Sequence, residues 1–337
     1  MPAIRLPFPV PGLPLATYSH SRLKTFSQCP RKFLWQYVWK VRPEVEGVEA
    51  FVGKRVHETL EELYRGICRG DPAPDLREVV TDFDERWQSQ WSEKVRIVRD
   101  EGADHYRNMG AECLERYYAR HYPFDAGTTL SVEQAFHMPV EPGSRHHLRG
   151  FIDRVDLAAD GTLEVHDYKT GRPQSARSLE SDQQLGFYEA AARFLYREYR
   201  RVRMVWHFLR SGVEHRLPQR PPGAISALRR RAHAQIERIE AVVQEYLRSL
   251  STPTARVFVR SSRQEQTYVP PEAMAPSTLF PARVGPLCRW CSLVDWCEEG
   301  AAHAGIPFRP PAQPAFTPAP LPPPTAQGQA GEQWDLF

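Results

Sequence analysis

Lysine is scarce in this chain. Of 44 basic residues six are lysine and the other 38 are arginine, so a lysine inside a structured motif is not a filler cation. The arginine excess suits phosphate contacts, or reflects codon bias in a GC-rich genome. Net charge is small as well, +3 over 337 residues, too little to argue for nucleic acid by itself. No apolar run approaches the roughly 20 residues that span a bilayer. The opening MPAIRLPFPVPGLPLAT is broken by prolines where a signal peptide needs a helical segment. The expectation is a cytoplasmic protein with no membrane contact. Six cysteines in a chain of this length argue against a disulfide scaffold and leave metal ligation or free thiols. There is no internal repeat.

What is present falls into an order of helices, sheet, helix, sheet and helix, an α/β core with a helical insertion. Helical apolar spacing runs around Leu23, Phe26, Phe33, Leu34 and Tyr37, interrupted at Cys29-Pro30. A second helix, GKRVHETLEELYRG, sets Val56, Leu60 and Leu63 on one side. Residues 75–122 read as largely helical. Strand signals begin near Thr129, QQLGFYEAAARFLYREY returns to helix, RMVWHFLRSGVEHRL turns at Ser211-Gly212, and a long amphipathic helix follows. Nine prolines between Pro307 and Pro324 predict an extended, mobile tail after about residue 301.

The stretch HHLRGFIDRVDLAADGTLEVHDYKTG carries the chemistry. A three-residue turn, Ala159-Asp160-Gly161, with Gly161 supplying the positive φ, sets Leu157 opposite Leu163, Val155 opposite Val165 and Asp153 opposite Asp167. Strand side chains alternate with period two, so both carboxylates and Lys169 continue the inward apolar row. Arg154, Asp156, Thr162, Glu164 and His166 then form the wetter face. Opposed like charges on a half-buried face repel and lose solvation. Either a cation sits between them or one is protonated. A divalent ion with oxygen ligands fits, with Lys169 as proton donor or water-orienting charge; an Asp-Lys ion pair capping the sheet edge is the plainer reading.

Cys288, Cys291 and Cys297 lie in CRWCSLVDWC, and Cys29, 259 residues before Cys288, is the natural fourth ligand of a four-thiolate site. Spacing alone does not choose between zinc and an iron-sulfur cluster. Cys68 and Cys113 have no such pattern and read as ordinary thiols.

GFIDRVD followed by DYKTG resembles the catalytic hairpin of the PD-(D/E)XK nuclease superfamily, in its RecB-like, AddB-like branch. The resemblance implies a restriction-endonuclease-like central mixed β-sheet flanked by helices, with a helical insertion and an iron-sulfur staple. It implies that Asp153, Asp167, the backbone carbonyl of Tyr168 and His57, in the helix before the hairpin, bind Mg2+ or Mn2+. Lys169 would position or activate the attacking water. Gln184 and Tyr188, at i and i+4 on one helix face, match the branch's Gln-x-x-x-Tyr signature, which helps organise the active site and DNA. Glu133 sits where the family often has a glutamate, without an assigned chemistry. For the cysteines the resemblance implies a 4Fe-4S cluster of structural role.

The domains implied are an N-terminal extension at 1–17 and a nuclease domain at 18–300. Within the latter, the helical insertion occupies about 65–125 and the iron-sulfur segment about 280–300. A Pro-rich disordered tail occupies 301–337 and ends QWDLF. There Gln333, Leu336 and Phe337 resemble the bacterial sliding-clamp binding motif; a tail end packed back on its own domain is the alternative. The function implied is a metal-dependent DNA exonuclease acting on single-stranded or unwound ends in repair or recombination, with a helicase as a candidate partner. Arginines would hold phosphates, and Trp206 is a candidate for stacking on bases, or a core residue. Two rivals stand beside it: a CRISPR-associated nuclease that trims spacer precursors, and a non-catalytic DNA-binding or clamp-recruited scaffold.

Overall fold

A computed structural model describes residues 17–39, 43, 45–249 and 277–309. The expected N-terminal extension up to residue 16, most of the Pro-rich tail and the Gln333, Leu336, Phe337 motif lie outside these.

A six-stranded mixed sheet forms the centre. Strands β4 (Gly127–Pro139) and β5 (His147–Ala158) are antiparallel, as are β5 and β6 (Leu163–Lys169). β6 pairs in parallel with β7 (Val202–Phe208), which turns back into β8 (Val213–Pro218). The short β1 (Thr17–Tyr18) lies along the start of β5. Two residues, β2 (Glu46–Gly47), pair with β3 (Val95–Arg96) in a separate ribbon.

Val155 faces Val165 and Leu157 faces Leu163, the register that the hydrophobic pattern demands, because a one-residue slip would turn these side chains to the wrong face. The connecting turn is Ala159-Asp160-Gly161, closed by the Ala158 N–H donating to Thr162 O at 2.9 Å. Gly161 takes φ +74°, a left-handed conformation open to glycine at no steric cost. Paired ladder positions end at Arg154 and His166, one residue short of the two aspartates. There the Tyr168 N–H donates instead to Asp153 Oδ2 at 2.8 Å.

On the face of Val155 and Val165 lie α1 (His20–Gln28), α7 (Gln183–Leu195) and α8 (Pro222–Ser249), over a core that includes Leu23, Leu185, Phe187 and Ile236. α2 (Pro30–Phe33) follows the break at Cys29-Pro30, where proline is tolerated in a first helical turn. α6 (Ala176–Glu180) is a short connector before α7. α7 and α8 meet at Gly186, where an added Cβ would stand 2.4 Å from Leu228 Cδ2. Gly186→Val is therefore expected to cost about 1–3 kcal/mol by overpacking, read as a lower urea midpoint. An unchanged midpoint would mean that Leu228 moves aside freely.

The other face is not wet. α3 (Val48–Arg69), α4 (Leu76–Gln90) and α5 (Ala103–His121) cover it with a second core around Phe51, Val56, Leu60, Phe83 and Tyr117. Arg154, Asp156, Thr162, Glu164 and His166, expected on a wetter face, are all buried. Paired polar groups replace water there. Arg154 lies over the Tyr64 ring at 3.8 Å and donates to the Tyr117 and Tyr168 hydroxyls at 2.7 and 2.8 Å. The helical insertion is thus the second layer of the domain.

The Cys288–Cys297 segment packs beside α1 and α2, with Phe280 stacked on Phe33. Ordered chain continues past the expected boundary at 301. α9 (Glu298–Ala304) buries Ala301, and the Arg309 N–H donates to Asp295 O.

Candidate active site

The site forms where β5 and β6 part, beneath α3. Asp167 is buried, 1% exposed, with Lys169 Nζ 2.6 Å from its Oδ2. Its Oδ1 is buried without a hydrogen bond. Burial pushes the Asp167 carboxyl up to about 6; Lys169 pulls it back, and the charge of Asp153 raises it further. Asp153 is held below the usual carboxylate range. Burial opposes this, but the charge and hydrogen bond of His57, the charge of Lys169 and the Tyr168 amide outweigh it. Burial would lower the Lys169 pKa, yet Asp167 and Asp153 raise it and keep the ammonium charged.

α3 delivers His57 from one turn before the buried Leu60. Its Nε2 lies 2.9 Å from Tyr168 O and its Nδ1 3.5 Å from Asp153 Oδ2. The two backbone and side-chain oxygens expected as ligands thus meet the histidine expected beside them. Glu133 joins them. One ligand atom each from His57, Glu133 and Asp153 fall within 4.8 Å of one another. Glu133 has φ +48°, in the left-handed region that glutamate seldom occupies. Its carboxyl is pushed up to about 7, by burial first and then by the charge of Asp153.

Gln184 and Tyr188 share one face of α7, with Gln184 Nε2 donating to Tyr188 Oη at 2.8 Å. The Tyr188 hydroxyl is pushed well above its ordinary range, by burial first and then by the charges of Asp167 and Asp153. Trp206 is 2% exposed and lies under Lys169, whose Nζ is 5.2 Å from the ring centroid. It belongs to the core and cannot stack on bases.

The residues fit a divalent cation. The carboxylates of Glu133 and Asp153 converge with an imidazole and a carbonyl, a donor set suited to a hard ion, and Asp167, with a buried oxygen that no hydrogen bond satisfies, lies near enough for the charge of Asp153 to act on it. Excess negative charge in a water-poor pocket raises carboxyl pKa values unless a cation offsets it.

Cys29 lies close enough to Cys291 and Cys297 for its charge to raise both thiol pKa values, after the larger effect of burial. The Gly285 and Gly300 amides donate to the sulfurs of Cys288 and Cys297 at 3.5 and 3.4 Å. An added Cβ at Gly300 would stand 3.2 Å from Cys297 Sγ and 3.7 Å from Cys288 Sγ. Four thiols with amide donors and a glycine at close approach fit a thiolate-ligated centre. Cys113 is buried and Cys68 exposed.

The chain belongs to the PD-(D/E)XK nuclease superfamily, whose sequence profile matches residues 17–298. Among curated proteins it is 26% identical over 180 residues to a subunit of the ATP-dependent helicase/deoxyribonuclease of Carboxydothermus hydrogenoformans. This similarity supports the RecB-like, AddB-like resemblance. It covers 47% of this chain and only 16% of that much longer relative. The crystal structure of SSO0001 is matched over 66% of this chain and 76% of its own, at 14% identity and a TM-score of 0.32; so loose a likeness carries no argument.

Sequence reasoning left Glu133 without a role. Its place in the strand pattern is ordinary, and only the local turn of the backbone at φ +48° distinguishes it from its neighbours.

Proposed function

We propose that this protein is a metal-dependent DNA exonuclease that acts on single-stranded or unwound ends in repair or recombination. The observation that carries the reading is the meeting of Asp153, Asp167, His57 and Lys169, with Asp167 Oδ1 buried and unsatisfied. Asp153, Asp167, the Tyr168 carbonyl and His57 would hold Mg2+ or Mn2+, with Glu133 as a further ligand. The ion, when bound, polarises the scissile phosphate and lowers the pKa of water. Lys169 keeps its ammonium beside Asp167 and orients the attacking water toward phosphorus. Gln184 and Tyr188 brace the carboxylates and the DNA strand from α7. Among the described residues no helix is long and apolar enough to cross a membrane.

Digestion of end-labelled single- and double-stranded DNA by anaerobically purified protein, with Mg2+, Mn2+ or EDTA, tests the reading. Cutting that needs the metal and proceeds from ends is expected. A folded, metal-supplied protein that leaves every substrate intact, alone or with a helicase, would favour a DNA-binding scaffold.

Glu133→Gln separates a ligand from a bystander. The half-saturating Mg2+ concentration is expected to rise roughly tenfold, with a smaller loss of maximal rate. An unchanged metal requirement would leave Glu133 a structural role.

The four cysteines are proposed to hold a 4Fe-4S cluster. Amide donors at the sulfurs of Cys288 and Cys297 support a thiolate-ligated centre there.

The terminal QWDLF is proposed to dock on a sliding clamp. Deleting Gln333 to Phe337 is expected to spare cleavage of naked DNA and end clamp binding in a pull-down. Unchanged clamp affinity would dispose of the motif. A helicase partner is proposed from the similarity to the helicase/deoxyribonuclease relative.

A further inference from the structure

We infer that His121, His207 and Glu214 form a second metal site, on the sheet face opposite Asp167, that takes a divalent transition ion of borderline softness such as Zn2+. The proposal does not rest on the nuclease reading. His207 in β7 and Glu214 in β8 are a directly opposed pair. His207 also lies beside Tyr168, on the face that α5 covers, and His121 is the last residue of that helix. One donor atom from each of the three falls within 4.8 Å of the others.

Hydrogen-bond polarity gives the site its sign. Arg154 Nη2 lies 2.9 Å from His166 Nδ1, and a guanidinium can only donate, so that ring nitrogen accepts. The ring proton of His166 is then on Nε2, 3.3 Å from Asp156 Oδ2. His207 Nε2 stands 2.9 Å from the same His166 Nδ1, and His207 Nδ1 stands 3.1 Å from Glu214 Oε2. In the tautomer of neutral His207 that carries its proton on Nε2, a bare Nδ1 faces the carboxylate, and a cation between them would satisfy both.

The neighbouring groups leave room for one. Arg216 Nε takes Glu214 Oε1 at 2.7 Å, while Oε2 is buried and has no hydrogen bond. His121 Nε2, 3.4 Å from Oε2, is likewise buried and unpartnered. Ion-to-ligand bonds of about 2.0–2.2 Å place ligands of one tetrahedral ion about 3.3–3.6 Å apart, close to the separations seen. With an ion on Nδ1, the His207 Nε2–H toward His166 would be the outer hydrogen bond that commonly fixes a ligating imidazole. Among the described residues Glu214 has two arginine neighbours: Arg216, paired with Oε1, and Arg120, whose Nε stands 3.7 Å from Oε2 on a half-exposed side chain.

The site would pin the end of α5 to the β7–β8 hairpin. Two arginines of α5 already reach that turn: Arg116 donates to Arg210 O at 3.0 Å and Arg120 to Gly212 O at 2.9 Å. A metal there serves stability, with no role in cleavage.

The test uses cluster-loaded full chain carrying Asp153→Asn, to weaken the carboxylate pocket, stripped with chelator and titrated with Zn2+ by calorimetry beside metal counting. One Zn2+ per chain, bound at about 1 µM or tighter, is expected, with a thermal midpoint that rises on loading. Adding Glu214→Gln, which keeps the side-chain shape, is expected to weaken that binding at least about 100-fold and remove the thermal gain. His121→Ala, at the helix end, is the second variant should the first fail to fold. Absence of tight Zn2+ in the parent would overturn the site and leave a protonated His207 paired with Glu214. Zn2+ binding that survives both substitutions would overturn it equally.

Discussion

Replacing Lys169 by methionine is expected to lower phosphodiester cleavage by about 10³-fold or more while leaving DNA affinity within about twofold. Its ammonium lies 2.6 Å from Asp167 Oδ2, and the two aspartates keep it charged against burial. A single buried charge that orients water and stabilises charge in the transition state is worth about 4 kcal/mol, the equivalent of that factor. Methionine keeps an unbranched side chain of similar length without the charge, so the fold should survive. Asp167→Asn is expected to abolish cleavage by another route. It removes a carboxylate from the ion's donor set, so calorimetry should show weakened Mg2+ binding, whereas Lys169→Met should bind Mg2+ at least as well as the parent. Single-turnover cleavage and fluorescence anisotropy on the same DNA make the comparison. Cleavage retained by either variant would remove the proposed site.

Cys291→Ser is expected to yield colourless protein with little iron and a thermal midpoint about 10 °C lower or more. A centre joining Cys29 to Cys288 closes a loop of 259 residues. By crosslink entropy such a loop is worth about 5 kcal/mol, and each kcal/mol moves the midpoint of a domain this size by about 2–4 °C. The loss should be local at first. Limited proteolysis is expected to cut near α2 and the segment around Phe280, whose ring stacks on Phe33, before the central sheet. Cleavage per folded molecule should change little, because the cysteines are remote in role from Asp153 and Asp167. An unchanged midpoint would make the four cysteines incidental, and zinc in place of iron in the parent would reassign the centre.

The hairpin was legible because its physics is local. Val155, Leu157, Leu163 and Val165 admit one register that keeps them inside, and Gly161 marks the turn; the observed pairing follows both. The same alternation carried Asp153, Asp167 and Lys169 to one place. The opposite face was misread for a related reason. Arg154, Asp156, Glu164 and His166 are polar by type, and alternation alone says that polar residues face water. Burial beneath α3 and α5 depends on where the segment of 65–125 packs, and its own sequence is amphipathic against whatever it meets. Trp206 shows the converse, since its strand position is fixed locally but its access to a ligand is not.

By itself, then, the sequence determined the main elements, the hairpin from Asp153 to Lys169 with its turn, and the family to which these belong, since period-two and 3.6-residue patterns and short motifs are written in neighbouring residues. Only the tertiary structure decided that the insertion is the second layer of the domain, that Glu133 turns its carboxylate toward His57 and Asp153, and that His121, His207 and Glu214 meet. These are matters of packing between residues far apart in the chain: His121 and His207 are 86 positions apart, and no spacing rule reaches across a sheet face and the helix that covers it.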